Sequence, residues 1–152
     1  MADRPSATVP ARPGNGEPLA DSTTIEVLAM AIHDVCGLLT DGQLEEIRRS
    51  VEQACLMPKE IEWDRRAAAH AEIFGLLADA AGHPFPARML NFGVGFMHQL
   101  MTTAGPVAGM MAANSSKRLL ASLYADDAEG AAHEVERHLT ALRVMGRLAN
   151  CS

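Results

Sequence analysis

The sequence is poor in aromatic residues and in alternating β-branched residues, and these shortages exclude most β-sheet folds. Aromatic residues make up 4% of the 152 residues, and valine, isoleucine and threonine never alternate with polar residues over the length of a strand. Half-buried strands need that alternation, whereas alanine, leucine and methionine, which are abundant here, favour helices. We therefore predict an all-α protein that forms one domain with a tail.

Clusters of basic residues are also missing from the sequence. The net charge is −6, and positive charges are adjacent only in dipeptides such as Arg48-Arg49 and Lys117-Arg118. A nucleic-acid surface needs concentrated positive charge to displace the counterions of the phosphates. We expect no direct nucleic-acid binding by this chain, while contact with DNA through a partner stays open.

Paired cysteines and long apolar runs are the remaining shortages. The three cysteines, Cys36, Cys55 and Cys151, are odd in number and show no close pairing, which is typical of free thiols in a reducing compartment. No segment resembles a signal peptide, and no apolar run reaches the roughly 18 residues that a membrane span needs. These features predict a soluble cytoplasmic protein without a membrane contact.

Proline and glycine divide the chain into a tail and a helical domain. Residues 1–20 contain four prolines and two glycines, which predicts a flexible tail, and residues 21–150 form the folded domain. The first three predicted helices begin at Ser22 or Thr23, after a capping box formed by Thr40 and Gln43, and near Lys59. The other three begin at Pro86, near Val107 and at Asp127. Six short-linked helices predict an antiparallel bundle.

Three of these helices turn a polar residue toward their apolar side. His138 lies in a helical stripe with Val135 and Leu142, and His70 and Ser116 occupy equivalent positions in their own helices. A buried imidazole needs a hydrogen-bonding partner. The spacing therefore predicts a small pocket lined by His70, Phe74, Ser116 and His138, although ordinary hydrogen bonds within the core explain the same pattern.

The fourth helix supplies further candidates for this pocket. His98 lies on or next to its inner side, where it is either a pocket residue or a core or surface histidine. Methionines on the fourth and fifth helices form either an adaptable pocket lining or plain core filling. They are Met89, Met97, Met101, Met110 and Met111.

Two fragments of the sequence carry more information than helical periodicity. The first is HAEIF at residues 70–74, followed by Gly82-His83-Pro84, and the second is SKRLLASLYADD at 116–127, followed by His138-Leu139. Together they resemble the FCD domain, the effector-sensing C-terminal domain of the FadR subfamily of GntR-type bacterial transcription regulators. The resemblance covers about residues 22–149 and implies an all-α antiparallel bundle.

The resemblance also implies which residues form the effector pocket. Many members bind a divalent metal, which holds a small carboxylate effector, and the four ligand positions fall on His70, Phe74, Ser116 and His138. Phe74 cannot bind a metal and Ser116 is a poor ligand for zinc or nickel, so only a weak, degenerate site at His70 and His138 is left. We therefore expect no metal cofactor, with His98 as the candidate third ligand if zinc or nickel persists. Without the metal, we expect an effector that is less charged than a carboxylate.

The resemblance implies one function for this chain, and two alternatives stay open beside it. The resemblance implies an effector-binding domain that forms a homodimer, and nothing in residues 1–20 resembles the family's winged helix-turn-helix. The alternative is an interaction protein that forms a heteromer with a DNA-binding regulator. A hydrolase or lyase using His70 and His138 is a further alternative, but no acidic residue is expected on the inner faces to act as a base, so we predict no enzyme.

Overall fold

The structure, a computed structural model, describes residues 13–151, with side chains from residue 21 onward. Six α-helices and one 3-10 turn follow one another along the chain, and the described part contains no strand. The helices are α1 (Pro13–Cys36), α2 (Asp41–Leu56), α3 (Trp63–Asp79), α4 (Pro84–Ala104), α5 (Gly109–Tyr124) and α6 (Ala128–Cys151), and the 3-10 turn is Pro106–Ala108. The all-α prediction is confirmed.

The helices form one bundle in which α4 packs against α1, α3 and α6. Two contacts show that α1 and α6 run antiparallel: Ser22 in the first half of α1 accepts a hydrogen bond of 2.6 Å from Nη1 of Arg143 in the second half of α6. At the other end, Gly37 lies close to Asp126, just before α6. Leucine, isoleucine, alanine and methionine side chains fill the interior between the helices. No helix within residues 13–151 is long and apolar enough to cross a membrane.

Two predicted helix starts are confirmed by their hydrogen bonds. Gln43 N donates to Oγ1 of Thr40 at 3.1 Å, and Thr40 N donates to Oε1 of Gln43 at 3.0 Å, which is the reciprocal pairing of a capping box. Before α6, Oδ1 of Asp127 accepts a hydrogen bond of 2.9 Å from Gly130 N. These caps satisfy backbone amides that the first turn of a helix leaves without a partner.

The start of α1 differs from the sequence prediction. The helix begins at Pro13 rather than at Ser22 or Thr23, so the predicted tail overlaps the helix over residues 13–20. Proline is favoured in the first turn of a helix, because its fixed φ suits the helix and its missing amide proton is not needed there. Residues 1–12, the rest of the predicted tail, lie outside the described residues.

Candidate functional site

The four side chains predicted to point inward lie in the interior of the bundle. His70 and Phe74 are one turn apart on α3, Ser116 is on α5 and His138 is on α6, and each is at most 6% exposed. Phe74, Ser116 and His138 line one internal cavity, whose other lining residues are Ile73, Met97, Ser115, Leu119, Val135 and Leu139. His70 is buried but does not line this cavity, so the structure places three of the four predicted pocket residues around it.

The cavity that Phe74 lines is small. Its volume is about 20 Å³. A cavity needs at least about 10–15 Å³ by this measure to hold one water molecule, so there is room for one water and not for a larger ligand. Phe74 also packs against α4, since a Cβ atom placed on Gly93 would lie 3.3 Å from the Phe74 ring. Glycine at position 93 is what lets the ring and α4 approach so closely.

Two buried imidazole nitrogens at this site have no hydrogen-bonding partner among the described residues. They are Nδ1 of His70 and Nε2 of His138. Ser116 therefore makes no hydrogen bond with Nε2 of His138. A buried polar atom without a partner costs about 1–3 kcal/mol, and such atoms in proteins usually contact a water or a ligand.

Burial keeps both imidazoles in their neutral form. It lowers the pKa of His138 to about 4, although the Glu134 carboxylate acts in the opposite direction and the imidazole of His70 adds to the lowering. The pKa of His70 is also lowered, first by burial and then by the nearby positive charge of Arg66. A neutral imidazole carries one donor and one acceptor nitrogen, so either residue is able to donate to or accept from a polar ligand.

A buried carboxylate beside the cavity was missed by the sequence prediction. Glu134 lies one turn before His138 and is 6% exposed, which corrects the expectation that no acidic residue faces inward. Ser115 Oγ donates to it at 2.6 Å, while Arg118 and Arg137 donate at 3.1 and 2.9 Å. Burial raises the pKa of Glu134, but these hydrogen bonds outweigh that effect and the pKa is lowered. A carboxylate held in this way is a poor general base.

The sequence contains a signal that could have located this carboxylate. Glu134 lies four residues before the inward His138, and Arg137 follows it at the spacing of a helical ion pair. Arg118 and Ser115 lie on α5, so their contacts with Glu134 depend on the packing of α5 against α6. The pairing across the two helices therefore required the structure.

His98 lies away from the cavity. Its Nε2 is 3.0 Å from Oδ1 of Asp64 and 3.2 Å from the carbonyl oxygen of the same residue, and its side chain is 33% exposed. This contact joins α4 to the first turn of α3. His98 is therefore too far round α4 to belong with the cavity residues, and the structure does not bring it together with His70 and His138.

The predicted methionine lining is reduced to one residue. Met97 lines the cavity, whereas Met101 is buried in the core and Met110 is 77% exposed. Met89 and Met111 are partly buried against the core. Met110 lies in the first turn of α5, directly after the 3-10 turn. Its predicted inward position was wrong.

A comparison with models of protein families identifies the family of this chain. The model of the FCD domain matches residues 23–141, most of the chain. The chain belongs to the FCD domain family. No curated protein and no solved structure matches it significantly. The family assignment agrees with the all-α bundle of six helices.

The residues of this FCD domain do not fit the family's metal. Zinc and nickel sites usually need three or four protein ligands, but here only the two imidazoles of His70 and His138 are suited to ligate. No three His, Cys, Asp or Glu side chains within the described residues come close enough together to hold a metal ion. Phe74, at one of the ligand positions that the resemblance implies, has only a hydrocarbon ring, and the buried carboxylate of Glu134 is already paired with Arg118 and Arg137.

Proposed function

We propose that this FCD domain is an effector-sensing module of GntR-type transcriptional regulation that works without a metal. The supporting observation is the pair of buried nitrogens, His70 Nδ1 and His138 Nε2, that lack partners at the family's pocket position. Buried polar groups are almost always hydrogen-bonded, so this site is suited to a molecule that supplies the missing bond. Recognition, and not catalysis, is the function that these residues support.

The effector we propose is a small, uncharged molecule with one hydrogen-bonding group. A carboxylate would enter a buried site without a metal or an unpaired cation, and burying an unpaired charge is costly. The carboxylate of Glu134 lies one turn from His138 and would repel an anion. Apolar neighbours such as Ile73, Leu119 and Val135 would contact the rest of the ligand.

Binding of such an effector requires the cavity to expand. With a volume of about 20 Å³, the cavity admits one water, so a larger molecule has to displace Phe74 or Met97. Methionine changes rotamer easily and is common at adaptable sites, which makes Met97 the first side chain to move. The resulting shift of α3 or α4 is the event that would report the effector.

A ligand screen by thermal shift tests this function. Compounds such as phenol and indole should raise the melting temperature of the wild-type protein, since a ligand that binds only the folded state stabilises it by mass action. Benzoate, as the matched carboxylate, should give no shift. The shift should disappear in His138→Ala and persist in His133→Gln, because His133 is exposed on the same helix. Stabilisation by benzoate alone would contradict the proposal.

The second candidate function is that of an interaction protein. The nearly filled cavity favours it, because a domain that only dimerises needs no ligand space. In this alternative the chain forms a heteromer with a DNA-binding regulator. We propose the homodimer as the assembly in the first candidate. Co-expression with a DNA-binding relative, followed by co-purification, separates the two: a stable heteromer together with no ligand response supports the alternative.

A further inference from the structure

The side chain of Ser115 connects the cavity to the buried carboxylate of Glu134. Ser115 is 4% exposed and lines the cavity, and its hydroxyl donates to Oε2 of Glu134 at 2.6 Å. A serine hydroxyl has one hydrogen and two lone pairs. Because that hydrogen points to Glu134, Ser115 offers only lone pairs to a molecule in the cavity.

Three observations indicate that the hydrogen of Ser115 stays with Glu134. The pKa of Glu134 is lowered in spite of its burial, so the group is a carboxylate at neutral pH and is unable to donate to the serine. A distance of 2.6 Å is typical of a hydrogen bond to a charged acceptor, which is about twice as strong as a neutral one. Arg118 donates to Oε1 and Arg137 to both oxygens, which fixes the carboxylate in place. Turning the hydroxyl toward a ligand would break the bond of Ser115 to this carboxylate.

The other polar groups at the cavity suit a donor and an acceptor equally. The hydroxyl of Ser116 lines the cavity with a hydrogen and two lone pairs. Nε2 of His138 has no partner among the described residues, and a neutral imidazole nitrogen donates or accepts according to its tautomer. A ligand oxygen without a hydrogen would face the lone pairs of Ser115, and buried acceptors without a partner are costly. Ser115 is therefore the group that distinguishes the two kinds of ligand.

We propose that the Ser115–Glu134 pair makes this site selective for a molecule that donates a hydrogen bond, such as an apolar ring with an N–H or O–H group. This inference rests on the effector sensing proposed above and narrows its ligand class. The donor places its hydrogen on Oγ of Ser115, while the apolar part of the molecule contacts residues such as Ile73 and Val135. A molecule with the same ring but only an acceptor makes no bond to Ser115.

Indole and benzofuran test the proposal, because they have nearly the same shape and differ in one group. Indole has an N–H donor, whereas the ring oxygen of benzofuran only accepts. Both molecules require the same expansion of the cavity, so the ratio of their Kd values reports the hydrogen bond. Isothermal titration calorimetry of the wild type should give a Kd at least about 10-fold lower for indole, since benzofuran leaves buried acceptors unpaired.

Two variants assign this selectivity to the Ser115–Glu134 pair. In Ser115→Ala the acceptor is gone, so the two Kd values should become nearly equal. In Glu134→Gln the side-chain amide is able to donate to Ser115, which frees the serine hydrogen for the cavity, and benzofuran should then bind at least as tightly as indole. Ser122→Ala is the matched control, since Ser122 lies about two turns further along α5 and does not line the cavity. It should keep the wild-type ratio.

The results separate this inference from the function on which it rests. Benzofuran binding the wild type as tightly as indole, or an unchanged ratio in Ser115→Ala, would overturn the donor selectivity and leave effector sensing standing. If neither molecule nor phenol bound the wild type, effector sensing at this site would be overturned, and the donor selectivity with it. The wild-type ratio needs no substitution, so the test does not depend on the folding of either variant.

Discussion

Replacing Phe74 with alanine should lower the free energy of unfolding by about 3–5 kcal/mol, the usual cost of removing a buried phenylalanine side chain. Phe74 is 2% exposed, and its ring fills the space between α3, α4 and the cavity. Two contributions lower the stability: the favourable burial of the ring is lost, and a cavity stays behind because a close-packed bundle relaxes only in part. Chemical denaturation of the two proteins measures the difference.

The control for this prediction is Tyr124→Ala. Tyr124 is 48% exposed at the end of α5, so the same kind of truncation should cost less than about 1 kcal/mol there. A Phe74→Ala protein as stable as Tyr124→Ala would mean that the ring is not packed as described.

Acid should destabilise this protein before its carboxylates titrate, because His138 is buried in its neutral form. The pKa of His138 is about 4 in the folded protein and about 6.5 when the chain is unfolded. Between these values the unfolded state binds more protons, so stability is complete above pH 6.5 and falls as the pH drops toward 4. The difference corresponds to about 3 kcal/mol. The lowered pKa of His70 acts in the same direction.

The measurement is the free energy of unfolding as a function of pH in the wild type and in His138→Gln. Glutamine does not titrate, so the free energy of unfolding of the variant should fall much less between pH 6.5 and pH 4 than that of the wild type. His133→Gln is the control, since His133 lies exposed on the same helix. Equal pH profiles for the wild type and His138→Gln would contradict the assignment of this effect to His138.

Helical periodicity was enough to predict the bundle and the inward residues. His70, Phe74, Ser116 and His138 each lie on an apolar stripe, and each is buried. A stripe defines the inner side of a helix without knowledge of its neighbours, because the hydrophobic effect acts on every helix in the same way. The capping residue Thr40 was predictable for a similar reason, since its partners lie within one turn.

Features that depend on contacts between helices could not be predicted in this way. The position of Glu134 four residues before His138 indicates its side of α6, but its hydrogen bonds with Ser115 and Arg118 of α5 depend on how the two helices pack. His98 lies at the border of the apolar stripe of α4, so the sequence allows it to face either the pocket or another helix. The rotation of α4 about its axis determines which residue it contacts. That residue is Asp64 of α3.

The most direct test of the metal-free account is metal analysis of the purified protein, with His138→Ala beside it. The wild type should contain no stoichiometric zinc or nickel after purification without chelators, because two imidazoles do not hold either ion firmly. The variant should give the same result. One equivalent of zinc or nickel in the wild type, lost in His138→Ala, would contradict the account and show that the metal site of the FCD family persists in this chain.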